Sequence, residues 1–407
     1  MPISLGDLSS IGIGMYRMCL NNQENEKALI KALTKHINNN HNTNDNKIIN
    51  VIDTSTNYCD GGSEELIGKV LSSHDKKILS RDEICIASKF GYCQGKNLAL
   101  YHSGHFKNIP NDHIVQYIYQ KKMLDRIGET FVALEEAVST GLIRSYGISS
   151  NSFSVPPEDK HFLPFEDLIE RAKNASRFVR GTEKHGFAAI QLPGNLLEQY
   201  GLKTTAKWAK ENGLKVFINR PLNAFNDEGG FRLASYPKTS YEEIKNSTIK
   251  ILENQVREGG ESSGSKTSVG GVGAPATFIL EIVKQLDKQL PNLTNVFQLE
   301  SVKASVNANL RQFHANQEIN SIAYPFIDAF GAEVRYRGSL KVRKYLIEQQ
   351  GFKELNDKNQ NIEEFAVNFL FNTGVVDVVL MGMTRERYVD FGRKMLKTLS
   401  EQKDKKN

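Results

Sequence analysis

The chain has 407 residues, of which 39% are hydrophobic and 24% are charged, and its net charge is +5 at pH 7. That length suffices for one large α/β domain or two modest ones. Its 52 basic and 47 acidic residues are interspersed except in a lysine-rich tail at 403–407, so nucleic-acid binding is not indicated. Because no apolar run reaches membrane length and no signal peptide is recognisable, we expect a cytoplasmic protein without a membrane partner.

Strand-like and helix-like runs alternate along the chain. Strands are predicted at 11–14, 48–53, 84–88, 143–149, 188–192, 215–219 and 375–381, and helices at 24–35, 63–71, 125–140, 204–212 and 362–371. Ser63 resembles a helix N-cap, and Gly141 resembles a C-cap. Nearly continuous apolar strands that alternate with helices favour a parallel sheet covered by helices, either doubly wound or closed as a barrel.

Two features separate these α/β folds. A dinucleotide-binding Rossmann unit needs the GxGxxG fingerprint, but Arg17 occupies the third glycine position after Gly12 and Gly14. The polar residues with assignable chemistry instead follow the carboxyl ends of different strands, where a (β/α)8 TIM barrel assembles its site: Asp53, Lys89, Ser149, Gln191 and Arg220. We therefore predict a single barrel domain over residues 1–407, with flexible insertions at 38–46 and 257–275.

Three of these side chains have the chemistry of an acid catalyst. Asp53 ends a strand, Tyr58 follows in the next loop, and Lys89 ends the next strand. A phenol has a pKa near ~10, and an ammonium group held by a carboxylate is expected to lower it and so favour proton donation at neutral pH. Taken singly, Asp53 is better explained by capping of the next turn; its position with Tyr58 and Lys89 favours the catalytic interpretation.

The four cysteines, Cys19, Cys59, Cys85 and Cys93, lie in the first quarter of the chain without CxxC spacing. This arrangement favours reduced thiols over a disulfide framework or a zinc site, and no metal site is predicted. Cys59 is interpreted as a small apolar filler beside Tyr58 and not as a nucleophile.

Five segments in order resemble the aldo-keto reductase family. They are Gly12-Ile-Gly14-Met-Tyr, Asp53 to Tyr58 with Gly62-Ser63-Glu64, Lys89, the segment Gly141 to Asn151, and Gln191 followed by Arg220-Pro221-Leu222 and Met381 to Arg387. The resemblance implies an NAD(P)H-dependent oxidoreductase that acts on a carbonyl or alcohol, with Asp53, Tyr58 and Lys89 as catalytic residues. It also implies a site for NADP(H), or alternatively NAD(H), formed by Ser149, Ser150, Asn151, Gln191, Arg220, Pro221, Leu222, Gly382, Thr384, Arg385 and Arg387.

The resemblance fails between Lys89 and Ser149. The family's fourth strand and catalytic histidine are absent there, residues 94–110 show no helical period, and the only strand-like run is His113–Tyr119. We therefore expect a barrel that is incomplete or irregular around strand 4. His102, His105 and His113 are candidate substitute donors, although solvated loop histidines are the commoner case.

Three functional hypotheses remain open at this point. The chain is an active reductase, or a catalytically impaired nucleotide-binding relative with a regulatory or interaction role, or a barrel that the missing strand prevents from closing. Gly194 also departs from the family, since related reductases usually place a tyrosine at its position. The top-face loops at 91–112, 223–275 and 332–338 carry no recognisable code for a substrate, and the oligomeric state is left open.

Overall fold

The computed structural model describes residues 3–35, 48–73, 78–91, 95–103, 120–226, 229–261, 273–293, 296–312 and 317–404. The predicted insertion at 38–46 lies outside these residues, as do His105 and His113. The chain divides into two compact units, Met1–Pro221 with Ala366–Asn407, and Leu222–Phe365. A single barrel domain over residues 1–407 stays a prediction.

The described residues of both units form nine strands and thirteen α-helices, which alternate through most of the first unit. The strands are β1 (Ile11–Gly14), β2 (Val51–Asp53), β3 (Cys85–Ala87), β4 (Tyr146–Ser149), β5 (Phe187–Pro193), β6 (Lys215–Asn219), β7 (Asn223–Asn226), β8 (Gly229–Arg232) and β9 (Val378–Gly382). The helices are α1 (Gln23–Leu33), α2 (Gly62–Leu71), α3 (Gly95–His102), α4 (Gln120–Ser139), α5 (Leu168–Arg180), α6 (Tyr200–Lys203), α7 (Thr205–Glu211), α8 (Tyr241–Glu261), α9 (Gly273–Gln289), α10 (Val296–Gln312), α11 (Gln317–Glu348), α12 (Ile362–Asn372) and α13 (Glu386–Asp404).

Over the described residues, the first unit contains a seven-stranded sheet in the order β3-β2-β1-β9-β6-β5-β4. Every pair of neighbouring strands in it is parallel. Strands β1, β2 and β9 are largely buried runs of mainly apolar residues, which is typical of a parallel sheet covered by helices. All seven strands that the sequence predicts are present.

The sheet curls round as a barrel does. Asp53 on β2 and Gln191 on β5 are hydrogen-bonded at 2.7 Å, although their strands lie four positions apart in the sheet. In a flat sheet that separation would be roughly 19 Å, because neighbouring strands lie about 4.8 Å apart. β3 and β4 are the two edges, and within the described part of the chain no strand joins them. The predicted fold, a (β/α)8 barrel incomplete at strand 4, is confirmed.

One glycine in this sheet has a clear steric requirement. A Cβ on Gly147 would lie 2.3 Å from the backbone oxygen of Ala189 on the neighbouring strand β5, far inside van der Waals contact. Because a methyl group does not fit there, the edge strand β4 can approach β5 this closely only with glycine at position 147.

Two local predictions in the first unit are wrong. Ser63 is not an N-cap: Gly61, with φ of 93°, holds that position, and the buried Ser63 hydroxyl donates to the carbonyls of Met15 and Met18. A hydroxyl that is buried next to carbonyl oxygens donates to them and is not available to cap the helix. The segment 94–110 is not without helix, since α3 begins at Gly95 inside it.

The second unit is helical and has its own core, which the sequence analysis did not predict. Helices α8 to α11 pack with the antiparallel hairpin β7–β8. Phe326, Phe330 and Val334 recur at helical spacing along α11 and are buried in this core. Although α11 has 32 residues, no helix in the described ranges is both long and apolar enough to cross a membrane.

Two expected loops therefore lie partly or wholly in helices of this unit. Residues 332–338 belong to α11, and the predicted insertion 257–275 begins with the last turn of α8 and ends in the first turn of α9. Buried apolar residues at helical spacing, such as Ile279, Val283 and Leu286 of α9, stabilise these helices in spite of their glycines. Residues 262–272 of the insertion lie outside the described part of the chain.

Candidate active site

Polar residues gather at the carboxyl ends of the strands of the first unit. Asp53 is the last residue of β2, Lys89 lies two residues past β3, and Gln191 lies near the end of β5. Asp53 and Gln191 are 4% and 7% exposed, so the two polar groups are removed from water and need partners in the protein.

The Lys89 ammonium group joins the predicted catalytic residues. Its Nζ donates to Asp53 Oδ1 at 2.5 Å, to the carbonyl oxygen of Thr54 at 3.0 Å and to Tyr58 Oη at 3.2 Å. An ammonium group has three N–H donors, so this set uses all of them. The Thr54 amide donates to the Ala87 carbonyl at 2.8 Å and extends the pairing of β2 with β3, which fixes both strand ends.

Burial shifts the pKa values of the two acids in this network upward. Loss of water raises the pKa of the Asp53 carboxyl, against the opposing effects of Lys89 and Gln191. Burial also raises the pKa of the Tyr58 phenol, with further contributions from Asp53 and Tyr16. The expected lowering of the Tyr58 pKa is therefore wrong, because sequence shows the neighbouring ammonium but not the desolvation. Tyr58 keeps its proton at neutral pH.

A second hydrogen-bond chain extends from Asp53 through Gln191. The Gln191 amide nitrogen donates to Asp53 Oδ1 at 2.7 Å, and its Oε1 accepts from Ser149 Oγ at 2.9 Å and from Asn219 Nδ2 at 3.3 Å. Asn219 ends β6, and its Oδ1 is buried without a hydrogen-bond partner among the described residues. Asn219 was not predicted as a site residue, although it ends the strand predicted at 215–219 and so could have been placed with the other polar residues at strand ends.

The loops after β1 and β2 are covalently joined next to Tyr58. A disulfide links Cys19 and Cys59, whose Cα atoms are 5.6 Å apart. The prediction of reduced thiols, with Cys59 as an apolar filler, is therefore wrong for this pair. Strands β1 and β2 are neighbours, so loops separated by 40 residues in sequence meet in space. Cys85 is a free thiol, and Cys93 lies outside the described residues.

The other residues predicted from the Ser-Asn and Arg-Pro-Leu segments have varied surroundings. The Ser150 hydroxyl accepts from the Ser152 amide and caps the short helix that begins at Asn151. Arg220 has a φ of 53°, and its guanidinium pairs with Glu198 at 2.6 Å. Pro221 ends the first unit, and the buried Leu222 begins the second.

The residues predicted to bind the adenosine phosphate lie between β9 and α13. Gly382 ends β9, and the Thr384 carbonyl accepts from the Asn25 side chain at 3.0 Å. Arg385 is exposed and pairs with Glu24 at 3.4 Å, while the exposed Arg387 lies 5.0 Å from the ring centre of Tyr388. Both guanidinium groups are thus held by contacts that an incoming anion would have to compete with.

The histidine side chains that the structure describes lie in other surroundings. His161 is exposed in a loop, and His185 lies two residues before β5, with its ring centre 6.5 Å from that of Phe187. His102 contributes backbone to α3. The described residues also contain no cluster of three or more His, Cys, Asp or Glu that could hold a metal ion.

An all-parallel barrel-type sheet whose polar side chains meet at the carboxyl ends of its strands defines the (β/α)8 class of enzyme fold. Within that class the aldo/keto reductase family model matches residues 10–223. Because the match spans more than half of the chain, the protein belongs to the aldo/keto reductase family. A comparison with curated protein sequences finds no match.

Solved structures similar to the chain include an aldo/keto reductase from Klebsiella pneumoniae in complex with NADP and acetate, at 19% identity and a TM-score of 0.32. The alignment covers 53% of this chain and 65% of that one. An aldo-keto reductase from Bacillus halodurans in its holo form has 14% identity and a TM-score of 0.44, with coverage of 96% and 87%. A glycerol dehydrogenase from Gluconobacter oxydans has 14% identity and a TM-score of 0.40, with coverage of 96% and 91%.

Proposed function

We propose that the protein is an NAD(P)H-dependent oxidoreductase that interconverts a carbonyl compound and an alcohol, with Tyr58 as the proton donor. The observation that carries the proposal is the Lys89 ammonium group, which donates to the Asp53 carboxylate and to the Tyr58 phenol at once. This arrangement lies at the strand ends of a chain that belongs to the aldo/keto reductase family.

The residues of the site divide the work of proton transfer. A nicotinamide cofactor, when bound, supplies or accepts the hydride. Tyr58 Oη accepts from Lys89 at 3.2 Å, so its own proton is available to a carbonyl oxygen in front of it. When Tyr58 gives up that proton, the phenolate forms beside a positive charge that Asp53 already holds in place. In the reverse direction the Tyr58 oxygen takes the proton of an alcohol.

The strand ends also fit the polar groups of a nicotinamide cofactor. The unpartnered Oδ1 of Asn219 is a buried acceptor beside Ser149 and Gln191, which is what a carboxamide N–H requires. Arg385 and Arg387 are exposed guanidinium groups next to the start of α13, suited to the 2′-phosphate of NADP(H). We therefore assign the carboxamide to the first group of residues and the phosphate to the second.

Replacement of the Tyr58 hydroxyl tests the proposal. Tyr58→Phe is expected to lower kcat for NADPH-dependent carbonyl reduction by about 10²- to 10⁴-fold, because the reaction loses its general acid. The Kd for NADPH should stay unchanged, since the ring remains in place. Tyr324→Phe, which removes a hydroxyl from a half-exposed ring in the second unit, is the matched control. Full activity of Tyr58→Phe at saturating NADPH would remove Tyr58 from the mechanism.

A fluorescence titration with NADPH and NADH separates this proposal from the alternative of an impaired, nucleotide-binding relative. The proposal expects binding together with turnover, and a loss of preference for NADPH in the Arg385→Ala/Arg387→Ala double variant. Tight binding without turnover on a broad set of aldehydes and ketones would favour a regulatory or interaction role instead.

A further inference from the structure

The turn that carries Tyr58 is clamped from one side by a covalent bond. Cys59 follows Tyr58 directly and is joined to Cys19, in the loop after β1. Both cysteines are partly exposed, so a small thiol reagent can reach the bond. The disulfide is thus formed by the residue next to the tyrosine that contacts Lys89.

The backbone of this turn adopts a conformation that L-residues avoid. Cys59 and Asp60 have φ values of 51° and 53°, and Gly61 follows with φ of 93°. Two successive non-glycine residues in the left-handed region are unfavourable unless the surroundings hold them there. A bond from Cys59 to a fixed partner supplies such a constraint.

The Cys19 side of the clamp is anchored firmly. The Met15 amide donates to the Asp53 carbonyl at 2.9 Å, and the buried Ser63 hydroxyl donates to the Met18 carbonyl at 2.6 Å. The Cys19 amide donates to the Asn25 side chain at 2.9 Å. In the same loop the Tyr16 ring meets the Tyr58 ring edge-on, with the ring centres 5.2 Å apart. The disulfide therefore ties the Cys59–Gly61 turn to a loop that these hydrogen bonds fix.

We infer that the Cys19–Cys59 disulfide is a redox-sensitive positioning element that holds Tyr58 at Lys89, so that the thiol state of this pair sets the rate of the reaction. The inference rests on the proposed function. A dithiol transfers two electrons and two protons to the bond, which opens to two cysteine thiols, while the dithiol closes to its own disulfide. Once opened, the Cys59–Gly61 turn relaxes towards negative φ values and carries the phenol away from the ammonium group.

The test compares the oxidised protein with the protein treated with dithiothreitol. Reduction is expected to lower kcat for carbonyl reduction by roughly 10- to 100-fold with KM for NADPH unchanged, because a displacement near 1 Å can cost about 100-fold. Without any reductant, Cys19→Ser and Cys59→Ser should already have the kcat of the reduced wild type. Dithiothreitol should not change the kcat of either variant. Cys85→Ser, which removes the free thiol on β3, should respond to dithiothreitol as the wild type does. Re-oxidation with oxidised glutathione should restore only the proteins that keep both cysteines.

A measurement independent of turnover separates the role of this clamp, the Cys19–Cys59 disulfide that holds the Tyr58 turn, from the proposed function. Backbone amides of residues 54–62 should exchange hydrogen faster after reduction, while those of β9 stay unchanged. If reduction alters neither kcat nor this exchange, or lowers only the melting temperature, the clamp is refuted and the proposed function stands. If Cys19 and Cys59 of the untreated protein are both alkylated by iodoacetamide, the clamp is likewise refuted. If no carbonyl is reduced in either thiol state but hydrogen exchange rises after reduction, the disulfide does hold the Tyr58 turn in place. The proposed function then fails, and with it the control of a reaction rate.

Discussion

The two ends of the barrel sheet both carry ionic clusters, but they use them differently. At the carboxyl ends, Lys89 connects Asp53 to the phenol of Tyr58. At the amino ends, the clusters of Glu135 and Asp377 bind parts of the fold to one another. The first cluster ends in the Tyr58 phenol, which we propose as a proton donor, whereas the carboxylates of the other two pair with cations and amides of the protein. The separation of function and stability in a barrel is visible in this difference.

Glu135 shows how one carboxylate joins several elements at the amino ends. Its carboxylate is fully buried and accepts from the Tyr146 hydroxyl at 2.8 Å and from the Gly186 amide at 2.6 Å, and it pairs with Arg180 at 2.5 Å. These contacts join α4 to the first residue of β4, the loop before β5 and the end of α5. Because β4 is an edge strand of the described sheet, the cluster fastens the part of the barrel that has the fewest neighbours.

The largest effect on stability is expected at this cluster. Glu135→Ala should lower the free energy of unfolding by about 3–5 kcal/mol, since it leaves Arg180 partly buried without its carboxylate. Urea unfolding measures the loss, with the exposed neighbour Glu136→Ala as the control. The turnover per folded molecule should stay the same below the transition. A selective loss of turnover with normal stability would contradict the division between the two ends.

The same chemical change at the two ends sharpens the comparison. Asp53→Asn should lower kcat by about 100-fold, or about 2.7 kcal/mol of barrier, because Lys89 loses the carboxylate that holds it. Its stability should be retained, since burial already disfavours the ionised form of Asp53 and raises its pKa.

Asp377→Asn should do the opposite. Asp377 pairs with Lys210 at 2.9 Å and with Lys215 at 3.1 Å, and accepts from the Val216 amide at 2.8 Å. Loss of its charge should lower the free energy of unfolding by about 1–3 kcal/mol and leave kcat unchanged. Equal effects of both variants on kcat would show that the two clusters do not differ in role.

The smallest expected effect concerns pH and again lies at the amino ends. Hydrogen bonds from Lys35 and from the Ser80 amide lower the pKa of Glu83 from 4.5 to about 2. A carboxyl with a lowered pKa adds stability above pH 4.5, and this contribution disappears as the pH falls towards 2. Because the pair is exposed to solvent, the contribution should stay below about 1 kcal/mol. In urea unfolding, Glu83→Gln should be less stable than the wild type at pH 6, and the difference should narrow steadily as the pH falls from 4.5 towards 2. A constant difference over this range would exclude the linkage.

Most of the sheet and the centre of the site could be predicted from sequence. Each strand of the barrel is a short apolar run, and each lies within three residues of its predicted bounds. Side chains at the carboxyl ends of parallel strands meet at one edge, so Asp53, Lys89 and Gln191 could be placed together without coordinates. The position of each residue at or just past the end of a predicted strand is therefore the signal that places the three residues together.

The features that sequence did not predict depend on distances between segments or on burial. The Cys19–Cys59 bond depends on two loops being neighbours, which cysteine spacing alone does not show. The direction of the Tyr58 pKa shift depends on how much water the phenol loses. The helical unit Leu222–Phe365 was missed because its glycines suggested loops, although Phe326, Phe330 and Val334 already follow a helical period.

A double-variant cycle on Tyr58 and Lys89 tests the central claim most directly, namely that the two residues act as one proton-donating unit. The measurement is kcat for NADPH-dependent carbonyl reduction by the wild type, Tyr58→Phe, Lys89→Met and the variant with both changes. The account predicts that the double variant is no slower than the slower single variant, because each change alone already disables the unit. If the two losses multiply, the residues act independently, and the contact between Lys89 Nζ and Tyr58 Oη is not the basis of catalysis.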